Sequence, residues 1–441
     1  MSLPGLAFDN SPAIHIPFRF FNTAPWMGVA AALVLLVSAE TAFTTQWTPA
    51  LLAVTHLFTL GFMVMIMIGA LFQVIPVITG ETIPYGQPVA TIVHLLLGTG
   101  TGLLVAGFAT QHYPLFWYAL PLLALCFISF LTALGSLLVR GVRGGDSIFC
   151  IRLAALCLLT TIVIGVLRAA QYTWVLDFPL QSNITYLHMA WGLLGWALLL
   201  VMGVGYQVIP MFHITPNYPS SLARALPSLV FFLLIMLSVP ALQALWNGII
   251  PLLLAVIMTY ASFSLWLLTQ RKRKIVDITV DFWRLAMVNL ILAALLFATV
   301  YFSSPGTPLS AQFNIAIGVL AIYGFACSVI MGMLQKIIPF LIYMHLQKRC
   351  IEHFELLKTL PHMKTIIPVS RSKWQFRLHC IALGLLFLAS LQPQVTMVAA
   401  VAAALDFCWL GFTVAMASWL YRQTATKIAV ETAGLQEISS N

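Results

Sequence analysis

HLFTLGFMVMIMIGALFQVIPVI, residues 56–78, is a run of apolar residues long enough to cross a membrane, and the chain repeats its design twice more. Residues 188–212 read HMAWGLLGWALLLVMGVGYQVIPMF, and residues 317–341 read IGVLAIYGFACSVIMGMLQKIIPFL. Each contains Gly-x6-Pro: Gly69 and Pro76, Gly203 and Pro210, Gly332 and Pro339. Between glycine and proline lie Gln73, Gln207 and, at the aligned place in the third copy, Lys336 with Gln335 just before it. The prolines are 134 and 129 residues apart. That interval holds four membrane-length helices, so the chain divides into three four-helix repeats and not into two six-helix halves.

Composition agrees with a membrane chain. Of 441 residues 61% are hydrophobic and 7% charged, against roughly 25% charged in a soluble domain. A bilayer core about 30 Å thick needs helices of about 20 apolar residues that satisfy their own backbone hydrogen bonds. Breaks at Pro, Gly, Asn and charge clusters predict helices near 25–44, 52–78, 89–110, 114–139, 148–170, 183–210, 222–244, 248–269, 282–303, 311–343, 375–395 and 397–421, numbered 1 to 12 in order. The predicted fold is an all-α polytopic membrane protein, with repeats over about 20–140, 147–270 and 280–422.

Charge orients the helices. Basic residues gather at Arg19, Arg140/Arg143, Arg271-Lys272-Arg273-Lys274, Lys348 to Arg377 and Arg422/Lys427, all on one side of a twelve-helix weave, with Arg168 alone at the opposite end. The positive-inside rule puts these loops, the 346–374 loop, the 423–441 tail and both termini in the cytoplasm. The net charge of +9 is this topology, not a nucleic-acid surface. The first twenty residues hold Pro4, Asp9, Pro12 and Pro17 and no apolar core, so no cleaved signal peptide is expected and the first helix serves as the insertion signal. Seven cysteines without a CxxC pair read as packing residues. Cys350, His353 and His362 share the 346–374 loop, where a solvated basic loop is preferred to a metal site.

Proline removes an N–H and frees a carbonyl that a nearby amide can satisfy, and glycine two turns earlier admits a neighbouring helix. Gly, Gln and Pro of the repeat are therefore packing devices. Ionisable groups inside the bilayer are costly and become the functional candidates. They are Glu40 at the outer end of helix 1, His56, His188, Arg168, Lys336, Asp406 standing alone at mid-membrane in helix 12, and His94 and His379 near the inner ends of helices 3 and 11. Asp406 suits a proton relay, a pair with a buried cation, or a hydrogen bond in its protonated form to a neighbouring helix.

His56 and His188 precede the shared proline by 20 and 22 residues, a depth difference of about 3 Å. At about 100° per residue, His56 points away from the face of Gly69 and Pro76, whereas His188 lies within roughly 60° of that of Gly203 and Pro210. Neighbouring helices of a threefold ring meet a common space through opposite faces, so the two imidazoles can share one pocket. Neutral imidazoles ligate iron and copper, and two at one depth can hold a haem from both faces. Met63, Met67 and Met189 nearby read as core filler and not as copper ligands.

Twelve helices, three repeats, cytoplasmic termini and a histidine near the outer end of helix 2 resemble subunit I of the haem–copper oxidases. With FRFFNTAPW (18–26) and the His56-to-Pro76 stretch, the chain is more similar to the oxidase-like NnrS-type proteins of nitric-oxide response. The resemblance implies a bacterial inner-membrane protein whose His56 binds a low-spin haem b, with His188 where the oxidases place a copper ligand and Arg168 as the one outer arginine for propionates. It also shows departures: Met-Ala-Trp follows His188 instead of Pro-Glu-Val-Tyr, helix 7 has no histidine, and helix 10 lacks the two haem-ligating histidines. The expectation is a degenerate relative that keeps a haem or a copper ion and senses a gas or serves a respiratory complex, and not an oxygen-reducing terminal oxidase. The alternatives are a transporter with discontinuous helices and an assembly subunit without a cofactor.

Overall fold

A computed structural model describes residues 11–140, 145–173, 183–272, 275–303, 310–350 and 354–440. All the regular secondary structure there is helical, with twelve helices long and apolar enough to cross a membrane. They are α1 (His15–Phe43), α2 (Pro49–Thr79), α3 (Gly86–Ala109), α4 (Tyr113–Val139), α5 (Gly145–Thr173), α6 (Ile184–His213), α7 (Ser220–Ser238), α8 (Pro240–Thr269), α9 (Ile278–Phe302), α10 (Gln312–Arg349), α11 (Val369–Leu391) and α12 (Pro393–Ala433). The protein is thus an all-α, multi-pass membrane protein.

Three helices form the centre. The membrane windows of α2, α6 and α10 are 89%, 72% and 72% buried, while none of the other nine exceeds 44%. The nine close a ring in the order α1, α3, α4, α5, α7, α8, α9, α11, α12, each touching the next. Leu33, Val37, Leu95, Ile128, Leu292 and Phe412 on the ring are exposed, the surface a lipid environment requires.

The central helices share more than Gly-x6-Pro. Each widens into a π-helical segment, Leu57–Val64, Trp191–Leu198 and Leu320–Cys327, and each segment begins nineteen residues before the shared proline. Each also carries a glycine eight residues before the one in the motif: Gly61, Gly195 and Gly324. All six glycines meet the first helix of their own repeat. A Cβ on Gly61 would stand 2.8 Å from Met27 Cβ and on Gly69 2.7 Å from Phe20 Cβ, both on α1. On Gly195 and Gly203 it would meet Cys157 Cβ at 2.8 Å and Cys150 Cβ at 3.1 Å on α5, and on Gly324 and Gly332 Asn289 Oδ1 at 2.6 Å and Phe282 Cβ at 2.5 Å on α9. Close backbone approach of this kind replaces the hydrophobic effect as the source of helix association in lipid.

Several predicted details change. Proline ends α2 and α6, which close one turn later on left-handed Gly80 and Ile214, but α10 runs ten residues past Pro339 to Arg349. Gln73 donates to Ser11 Oγ at 2.5 Å, away from the carbonyl that Pro76 frees. Helix 1 starts earlier, at His15, and helix 11 at Val369, so His379 sits deeper than an inner helix end. Residues expected as a tail, 423–440, continue the last helix. In the 346–374 loop Cys350 is buried, with its thiol raised by burial and by Glu431, His362 is exposed, and His353 lies outside the described residues.

Gly69→Val and Gly332→Val force side-chain carbon into α1 and α9 and are expected to cost on the order of 1–3 kcal/mol each, whereas Gly98→Ala and Gly384→Ala, where a Cβ meets nothing, leave stability unchanged. Thermal unfolding of the purified protein in detergent, followed by tryptophan fluorescence, checks the contrast.

Candidate functional site

His56 is the last α-helical residue before the π segment of α2, and His188 lies three residues before that of α6. Both imidazoles are half-buried. Their ring centres are 6.5 Å apart with planes 23° from parallel. Each Nδ1 lies against a backbone carbonyl, His56 on Leu52 O at 2.7 Å and His188 on Thr161 O of α5 at 3.0 Å. A carbonyl only accepts, so Nδ1 carries the hydrogen in both rings and each Nε2 presents a lone pair. Neither Nε2 has a protein hydrogen-bond partner among the described residues.

The surroundings shape this pair. Gly165 on α5 makes the berth for His188, since a Cβ there would lie 2.7 Å from its Cε1. Phe108 of α3 also lies against His56, centres 5.3 Å apart and planes 22° from parallel. Tyr172 packs edge-on to Phe108 at 5.8 Å. Arg168, one turn beyond Gly165, donates to Thr185 Oγ1 at 3.0 Å and Gln171 Oε1 at 2.8 Å, with its guanidinium 5.3 Å from the Tyr172 ring centre. It has no carboxylate partner among the described residues. Met63 and Met67 are buried in the core, and Met189 is exposed.

The ring spacing can be compared with that of two imidazoles on one ion. Two imidazole nitrogens about 2.0–2.1 Å from a shared ion, each about 1.1 Å from its own ring centre, place the centres about 6 Å apart; the observed 6.5 Å is close to that. Second-partner bonds from Nδ1 to carbonyls fix tautomer and orientation as metal-bound histidines require. No group of three or more His, Cys, Asp or Glu arranged for a metal occurs among the described residues; the two imidazoles are the pair of nitrogen donors that lie together here.

The other candidates lie elsewhere. Glu40 is exposed in the 3₁₀ turn that ends α1. Lys336 pairs with Asp277 at 2.6 Å, at the end of the bundle opposite the histidine pair. Asp277 also accepts from the Thr279 hydroxyl at 2.7 Å and lies 3.8 Å from His213, which is buried with both ring nitrogens unpartnered. Burial raises the Asp277 carboxyl, but the hydrogen bond and charge of Lys336, with Thr279 and His213, outweigh it and hold the carboxyl below its ordinary value. Gln207 is half-buried one and a half turns before His213.

Asp406 is not alone, as the sequence had implied. Oδ2 accepts from Tyr323 Oη at 2.6 Å and meets His379 Nδ1 at 2.8 Å, while Oδ1 accepts from Gln375 Nε2 at 2.5 Å. These partners come from α10 and α11, which helix numbering alone does not bring to α12. Also missed were Gly165, Thr161, Phe108 and Tyr172 around the histidine pair; the glycine pattern at 61, 195 and 324 was legible in the aligned repeats.

Compared with protein-family models and with curated proteins, the chain finds no match in either.

The pH dependence of the Lys336–Asp277 contact follows from its sign. A carboxyl held low in the folded state stabilises the fold fully above its unfolded value, near 3.8, and that contribution disappears as pH falls through the lower folded value. Asp277→Asn is therefore expected to lower stability at neutral pH by on the order of 1 kcal/mol and to match wild type in strong acid, as thermal melts across pH would register.

Proposed function

We propose that this multi-pass membrane protein holds one metal centre, a haem b iron or a copper ion, between His56 and His188, and acts in a gas response such as that to nitric oxide or in respiratory redox. The observation that carries the proposal is the pair of Nε2 lone pairs, both left free because each Nδ1–H is committed to a carbonyl, at a ring spacing of 6.5 Å. Bound there, iron or copper would supply a one-electron centre, and a gas ligand would reach it by displacing one of the two imidazoles. The protein's part is to fix the two rings through Leu52 and Thr161, to shield them with Phe108 and Tyr172, and to offer Arg168 to an anionic group such as a propionate.

An oxygen-reducing terminal oxidase needs further histidines that the chain does not supply: α7 has none, and α10 has only His345, at its far end. A transporter of broken-helix design expects half-helices meeting at mid-membrane, whereas α2, α6 and α10 run continuously through their π segments. The basic loops support placing both termini in the cytoplasm of a bacterial inner membrane, which puts the histidine pair at the outer face. A respiratory complex is the partner class this location favours.

Protein purified from cells supplied with haem precursor and copper is expected to carry about one haem or copper per chain, and His56→Ala or His188→Ala to remove it while circular dichroism retains the helical content. A colourless, metal-free wild type of unchanged helicity refutes the proposal.

A further inference from the structure

A second polar centre lies wholly inside the third repeat, away from the histidine pair. Asp406, His379, Gln375 and Ser328 are each 0% exposed and Tyr323 2%. Tyr323 and His379 stack face to face, centres 4.8 Å apart and planes 11° from parallel. His379 Nε2 meets Ser328 Oγ at 2.8 Å, and Ser328 Oγ lies 3.5 Å from the Tyr323 carbonyl. The π segment of α10 builds this arrangement, because its wider turn places Ser328 beneath the carbonyl five residues before it.

The fold does not require these groups. At the places of Tyr323 and Ser328, the matched central helices carry Leu60 and Met65 in α2, and Leu194 and Leu199 in α6. At these two places, two repeats carry apolar side chains and the third carries a phenol and a hydroxyl that reach an acid and an imidazole. Buried ionisable groups are expensive in a bilayer, so a purely architectural role leaves their presence unexplained.

We propose that Asp406 and His379 form a buried site that reversibly binds one proton, taken up from the end of the bundle that carries the basic loops. The network accepts that proton without losing a hydrogen bond. With His379 neutral, Nδ1–H donates to Asp406 and Nε2 accepts from the Ser328 hydroxyl. With a proton added at Nε2, that N–H donates to Ser328 Oγ, and the hydroxyl turns to the Tyr323 carbonyl. The charge of the pair changes from −1 to zero, and Tyr323 Oη and Gln375 Nε2 go on donating to Asp406. The other titratable groups in reach are the thiols of Cys327 on α10 and Cys380 on α11. From α2 the neighbours of Tyr323 and Phe407 are the rings of Phe58 and Phe62.

A path to the site is marked by two orphan atoms. Gln375 Oε1, an acceptor, and Gln335 Nε2, a donor, are buried without partners. Gln335 accepts from Ser372, one turn before Gln375 on α11, and Met331, one turn before Gln335 on α10, touches Gln375. One water between Gln335 and Gln375 would satisfy both and would complete a line from the start of α11 through Ser372, Gln335 and Gln375 to Asp406.

Infrared difference spectra between acid and alkaline pH, on the full chain in lipid nanodiscs, test the proposal independently of any metal at His56 and His188. Wild type is expected to show a titrating band of a buried carboxyl–imidazole pair, lost in Asp406→Asn. Ser328→Ala removes the hydroxyl rotor and is expected to shift that titration to lower pH. Gln335→Leu leaves the titration in place but slows hydrogen–deuterium exchange of the band roughly tenfold. The absence of a titrating band in wild type, or its persistence in a folded Asp406→Asn, overturns the site; unchanged exchange in Gln335→Leu overturns the path. Should Asp406→Asn fail to fold, an unshifted titration in Ser328→Ala overturns the site.

Discussion

Everything else in this protein depends on the contact between each central helix and the first helix of its own repeat. In lipid, apolar side chains gain little by leaving one hydrocarbon surface for another, so helices hold together through close packing and through hydrogen bonds that have no alternative partner. Paired glycines in α2, α6 and α10 bring Met27 and Phe20, Cys157 and Cys150, and Asn289 and Phe282 against bare backbone. That contact buries the three central helices and leaves the other nine to face lipid.

On this apolar threefold frame the polar groups are departures from symmetry, and the departures define the chemistry. Histidines enter the first two repeats just ahead of their π segments, while the third repeat has Val319 and Ile317 at the aligned places. The acid–imidazole network enters the third repeat alone. The salt bridge of Lys336 with Asp277 sits at the opposite end of the bundle from the histidine pair. Each group has a partner that matches its chemistry: carbonyls for the Nδ1–H of His56 and His188, three donors for Asp406, and a carboxylate for the ammonium.

On the two proposals made above, a metal centre between His56 and His188 and a proton site at Asp406 and His379, built from different repeats, would divide the labour that a metal centre in a membrane imposes. A change of charge at a low-dielectric site is costly unless a compensating charge moves nearby. The His56–His188 pair near one face and the Asp406–His379 pair in another repeat are the groups that would provide such compensation under those proposals.

Sequence alone determined the membrane class and the twelve helices, because both are matters of length and composition along one chain; the four-helix period and the matched places of His56 and His188 were read from spacing. Even the facing of the two histidines was legible, as a two-residue offset between aligned helices. Hidden from it were the partners that come from distant positions: Thr161 and Gly165 for His188, Phe108 for His56, Asp277 for Lys336, and Tyr323, Gln375 and His379 for Asp406. The π segments were equally invisible, since a widened turn leaves no fixed mark in composition. Only packing decides which faces of α10, α11 and α12 converge, and there an acid that looked isolated in the sequence acquires three hydrogen-bond partners.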